Sequence, residues 1–153
     1  CAERPELFRA AVIISPWLIK PEEMLKKVVA SNEKSLRLFK KKPLCGLIGR
    51  LNGFSPEERA EFVAQMQHVK PETAHNAADN GITIESVQGF GRVDFPVYAL
   101  AGAKEQREVK DSVLTLAKLN RRCKAEVWER AGHNIPMAFP QRLNELIEKA
   151  AYE

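Results

Sequence analysis

Two short apolar runs, Ala10–Ser15 (AAVIIS) and Pro96–Ala101 (PVYALA), carry no polar alternation. A strand with one wet face alternates apolar and polar side chains. A continuous run reads instead as a strand buried on both faces, as in a parallel sheet covered by helices. Ala125–Trp128 reads as a third strand.

Between the strands the period changes from two to that of a helix. Pro21 to about Lys42 opens with Pro21-Glu22-Glu23, which suits the positive end of a helix dipole, and carries an apolar face of Met24, Leu25, Val28, Val29, Leu36 and Phe39. Ser31-Asn32 is expected to divide it into two helices, and Leu44–Gly53, with Gly46, Gly49 and Gly53, to be turn-rich. Ser55-Pro56-Glu57-Glu58 is a capping box with proline in the first turn, followed by the stripe Phe62, Val63, Met66 and Val69. Pro71 opens another helix, which Asn80-Gly81 should stop. Glu108–Asn120 is amphipathic on Val109, Val113, Leu116 and Leu119, and Phe139–Ala150 closes the chain around Leu143, Leu146 and Ile147.

The order is strand, four or five helices, strand, helix, strand, helix. This predicts an α/β fold with a parallel sheet of about three strands, residues 1–16 and 93–153 forming the core and residues 17–92 a helical cap. At 153 residues, 44% hydrophobic and 29% charged, the chain has the composition of an ordinary globular protein. The net charge of +4 comes from scattered cations, and the densest run, Lys40-Lys41-Lys42, sits beside Pro43 as a solvated helix end, which argues against nucleic-acid binding. No apolar run approaches the roughly 20 residues of a membrane span, and no secretory signal pattern appears. Cys1, Cys45 and Cys123 are odd in number and widely spaced, unlike a disulfide framework or a zinc site. The expectation is a cytoplasmic protein with no membrane partner. The opening Cys-Ala-Glu-Arg-Pro-Glu-Leu-Phe reads as the end of a helix already under way, so a fragment is expected.

The richest local pattern is Ala131-Gly132-His133-Asn134-Ile135-Pro136, directly after the third strand. Together with Phe95-Pro96-Val97-Tyr98-Ala99-Leu100-Ala101-Gly102-Ala103-Lys104-Glu105, it resembles the last third of an α/β-hydrolase. Ala2–Ala10, followed by a buried strand and Pro16, resembles the segment just downstream of that family's nucleophile elbow. The resemblance implies that Glu105, in the Gly-x-x-Asp/Glu position, is the triad acid and that His133, 28 residues on, is the general base. Glu108, one helical turn further, is the alternative acid. The family's Gly-x-Ser-x-Gly elbow would lie about ten residues before Cys1, and no such pattern occurs within the chain.

What the resemblance implies, then, is the C-terminal part of a serine hydrolase acting on an ester, amide or carbon–carbon bond of a small-molecule substrate. It requires no cofactor or metal. The partner would be the missing N-terminal half, or a second copy pairing through the exposed sheet edge, and the chain alone should be inactive. The rival reading is a non-catalytic half-hydrolase that serves as a binding module.

Other motifs carry less. Ser31-Asn32-Glu33-Lys34 matches Ser-x-x-Lys without its partner motifs. Cys1 would be an N-terminal nucleophile only if the chain truly begins there. His68 and His75, seven residues apart, lack further ligands at metal spacing. Gly89-Phe90-Gly91 is not followed by a helix start, unlike a phosphate loop. Met24, Phe39, Phe62 and Met66 read as packing residues of the cap.

Overall fold

The three expected strands form one parallel sheet of β1 (Ala11–Ile14), β2 (Val97–Gly102) and β3 (Cys123–Trp128), in the order β1-β2-β3. The computed structural model describes residues 1–51, 53–73 and 81–153. Ala11 lies opposite Val97, and Val97 opposite Cys123, so the strands are in step where the sheet begins. Every residue of β2 is buried, as its unbroken apolar run requires.

The period-two geometry of a strand sends alternate side chains to opposite faces. Val97, Ala99 and Ala101 pack with Val109, Val113 and Leu116 of α4 (Arg107–Leu119), and with Phe90 of a 3-10 helix at Ile84–Arg92. Tyr98 and Leu100 turn the other way, into Trp128, Ile135 of the short helix α5 (Ile135–Ala138), and Leu143, Leu146 and Ala150 of α6 (Pro140–Tyr152). Burial of both faces is the arrangement that parallel sheets need.

The chain divides into two compact units, Cys1–Lys20 with Ile82–Glu153, and Pro21–Gly81. The helical unit is thus shorter at both ends than the 17–92 stretch of the sequence pattern. Leu18 and Ile19 give their backbone N–H groups to the buried Ser112 hydroxyl of α4, and the Asn120 amide holds the carbonyls of Phe90 and Val93. These bonds tie both flanks of the insertion to the sheet unit.

In the helical unit, α1 (Glu22–Phe39) is continuous. The expected break at Ser31-Asn32 does not occur. Both residues are exposed, and each costs only a few tenths of a kcal/mol in a helix. The Leu44–Gly53 stretch, expected to be turns, is mostly the helix α2 (Lys42–Leu51). Its Gly49 sits against Phe54, Arg59 and Phe62, so a site without a side chain admits the neighbouring helix.

The capping box at α3 (Pro56–His68) is present in both bonds, with the Glu58 N–H on Ser55 Oγ at 3.2 Å and the Ser55 N–H on Glu58 Oε2 at 2.7 Å. Phe62 meets Phe39 and Phe54 edge-on, and Lys40 Nζ donates to the carbonyls of Met66, Gln67 and Val69 at the end of α3. The helix expected from Pro71 is helical over 71–73, and its expected stop at Asn80 lies outside the described residues. Residues 1–4 are not helical, and only a 3-10 turn at Pro5–Leu7 follows them.

Candidate active site

All three strands run the same way, so the segments leaving their carboxyl ends gather at one edge, where open α/β sheets place their ligands. Ser15 follows β1, Glu105 follows β2, and His133 follows β3.

Glu105 is held from its own turn. Its N–H donates to the Gly102 carbonyl at 3.0 Å, and its Oε2 accepts the Gly102 N–H at 2.7 Å. A second donor, Ser15 Oγ, reaches the same oxygen at 2.9 Å. The side chain is only 3% exposed, so these bonds replace the water that the carboxylate has lost.

The remaining oxygen, Oε1, lies 2.8 Å from His133 Nδ1. An ionised carboxylate can only accept, so opposite one Nδ1 carries the proton, and in the neutral imidazole Nε2 then keeps a free lone pair. The His133 side chain is 82% exposed, which leaves Nε2 open to a reacting group. A base oriented by a buried acid, with its working nitrogen accessible, can take a proton from a hydroxyl and return it to a leaving group.

The turn that presents His133 is packed against the one that presents Glu105. The Ala103 and Lys104 N–H groups donate to the carbonyls of Trp128 and Ala131 at 2.9 and 3.0 Å, and Arg130 turns the chain with φ +64°. A β-carbon on Gly102 would stand 2.5 Å from the carbonyl oxygens of both Ala131 and Gly132. Glycine at 102 is therefore a condition of the two turns touching.

The structure brings together the two residues named from the sequence and adds Ser15 and the Gly102 N–H. No pattern marks Ser15 in the sequence beyond its place at a strand end before Pro16. Among the described residues, Glu105 is the one carboxylate bonded to His133; Glu108 sits on α4, its backbone carbonyl taken by Ser112. Ser31 and Lys34 are both exposed on α1, Cys1 is exposed, and His68 is exposed at the end of α3. His75 lies outside the described residues. No group of three His, Cys, Asp or Glu among the described residues is placed to hold a metal ion.

The fold is that of the C-terminal part of an α/β-hydrolase: a parallel sheet covered by helices on both faces, with turns after successive strands converging at its carboxyl edge. E-2-(acetamidomethylene)succinate hydrolase superposes with a TM-score of 0.66 at 17% identity, over 99% of this chain and 60% of its own. NosK from Streptomyces actuosus gives 0.65 at 15% identity, over 99% of this chain and 63% of its own. The carboxylesterase CesB (YbfK) from Bacillus subtilis gives 0.64 at 17% identity, over 97% and 53%. The chain thus spans between half and two thirds of the length of the proteins it resembles. No family model matches the sequence, and no curated protein sequence does. No helix among the described residues is long and apolar enough to cross a membrane.

Proposed function

We propose that these residues are the C-terminal part of a serine α/β-hydrolase, with His133 as the general base and acid and Glu105 as the residue that orients it. In this reading a serine outside these 153 residues attacks a carbonyl carbon of an ester, amide or cleavable carbon–carbon bond in a small-molecule substrate. His133 Nε2 takes the serine proton and hands it to the leaving group, while Glu105 stabilises the imidazolium. The oxyanion donors belong with that serine. The helical unit takes the part of the cap that sets substrate size. The outer edge of β1 is where the rest of the hydrolase sheet, or a second copy of this chain, would pair. The three free thiols suit the reducing cytoplasm.

One observation carries the reading, the 2.8 Å contact between a buried Glu105 carboxylate and an exposed His133 whose Nε2 is left open. The test is hydrolysis of a panel of p-nitrophenyl esters by the natural protein that contains these residues. His133→Ala should lower kcat/KM by about 10³-fold or more, and Glu105→Gln should cost up to about 10⁴-fold through the wrong imidazole tautomer. The 153 residues by themselves should be inert. Turnover that survives His133→Ala unchanged overturns the proposal. A natural protein that neither hydrolyses esters nor takes a fluorophosphonate label favours the non-catalytic binding module.

A further inference from the structure

The Ser15 backbone is in an unusual conformation. Its φ is +51°, in the left-handed region where a β-carbon is crowded and glycine is the easy choice. The residue still belongs to the sheet edge, because its N–H donates to the Leu100 carbonyl at 2.8 Å and extends the β1–β2 ladder by one place. The chain turns sharply there before Pro16, and the turn aims the hydroxyl at a residue 90 positions away. Strain of this kind persists only where the surroundings enforce it, and its location beside a buried carboxylate gives it a use.

We propose that Ser15 is a positioning residue for Glu105, an inference that rests on reading Glu105 and His133 as a catalytic pair. A carboxylate held by one donor can rotate about its Cγ–Cδ bond and exchange its oxygens. Here two donors from two strands, Gly102 N–H at 2.7 Å and Ser15 Oγ at 2.9 Å, converge on Oε2 and leave Oε1 for the imidazole. The Gly102 donor is a backbone N–H, which only proline would remove, whereas the Ser15 donor is a single hydroxyl. Ser15 is not placed as a nucleophile. Its one proton goes to the carboxylate, its other neighbour is the His133 backbone carbonyl at 3.5 Å, and neither contact is with the imidazole.

The experiment is ¹⁵N NMR of the histidine side chains in the 153-residue chain at a pH where His133 is neutral. Free imidazole side chains favour the proton on Nε2; a carboxylate acceptor at Nδ1 reverses that preference. The parent chain should show His133 mainly as the Nδ1–H form, and Glu105→Gln should abolish the bias. Ser15→Ala removes the hydroxyl, and Ser15→Gly removes both the hydroxyl and the backbone strain, so the glycine variant should fold even where the alanine variant does not. In each folded variant the Nδ1–H to Nε2–H ratio should fall about 3-fold or more, less than the full effect of a hydrogen bond to a charged group because the lost donor acts on the imidazole only through Glu105. A Ser15→Gly chain that is folded and keeps the parent ratio overturns the role of Ser15. A parent chain without the Nδ1–H bias overturns the pairing itself, so the two failures are distinct.

Discussion

The sheet unit and the helical unit bury their residues by different means. In the sheet unit the decisive contacts join distant parts of the chain. Ala11 pairs with Val97, and Ser15, Glu105 and His133 meet from three separate strand ends. In the helical unit the named contacts link residues within about 30 positions: a capping box four residues long, Lys40 on the last carbonyls of α3, and Phe62 between Phe39 and Phe54. Long-range pairing fixes where these side chains meet, which is the kind of placement the proposed proton transfer would require. Local helix contacts hold elements together but tolerate small shifts. The sheet unit should therefore be intolerant of substitution where its turns meet, and the helical unit forgiving at its equivalents.

Gly102 gives the severest test of that contrast. An added β-carbon meets two backbone carbonyls at 2.5 Å, and neither can move without displacing the His133 turn. Gly102→Ala should destabilise the chain by about 3 kcal/mol in urea denaturation, at the upper end of overpacking effects, and should break the Glu105–His133 contact. In the helical unit the tightest of Gly46, Gly49 and Gly53 is Gly49, which would meet Arg59 Cγ at 3.1 Å, the stem of a flexible side chain. A Gly102→Ala chain as stable as the parent would mean that the turns are soft, and the contrast would fail.

Each unit also buries one thiol, while Cys1 is exposed. Burial raises the Cys45 thiol above its ordinary range, and it pushes Cys123 up to about 11 despite an opposing hydrogen bond with the Ala99 backbone. Since the thiolate is the reactive form, Cys123 in the folded chain should be alkylated at pH 8 at least about 100-fold more slowly than an ordinary exposed thiol. The sign of the stability effect follows from the raised value. The folded state favours the neutral thiol, so this contribution is intact below about pH 9 and is lost as the pH rises towards about 11. Labelling of Cys123 as fast as Cys1 in the native chain would show that the sheet unit opens as readily as its surface, and would remove the distinction between the units.

The same difference explains what could be read from sequence. β2 was legible because a strand buried on both faces has to be apolar throughout, and α4 and α6 because their buried residues, such as Val109, Val113 and Leu116, recur at helical spacing. That Glu105 and His133 meet was legible from a family pattern of turn glycines and spacing. Ser15 was not, because its partner is 90 residues away and a serine before a proline carries no sign of left-handed backbone. In the helical unit, Gly46 and Gly49 suggested turns, but close packing of Phe54 and Phe62 at Gly49 outweighs the helix cost of about 1 kcal/mol per glycine. Ser31 and Asn32 were misleading for the opposite reason, since they are exposed and nothing opposes the helix they sit in.

The gentlest test comes from the one feature of the helical unit that was readable in four consecutive residues. Ser55→Ala removes the acceptor for the Glu58 N–H and leaves half of the capping box, the Glu58 carboxylate on the Ser55 N–H, in place. The expected cost is about 1 kcal/mol, or roughly 2–4 °C in Tm for a chain of this size. The loss should be confined to the start of α3, so the imidazole signature of His133 should be the same in the variant and the parent. A variant that lost no stability would show that the carboxylate half of the box suffices at this cap. A variant whose His133 signal shifted would show that the sheet site depends on local order in the helices, and the two units could no longer be treated as separate solutions to burial.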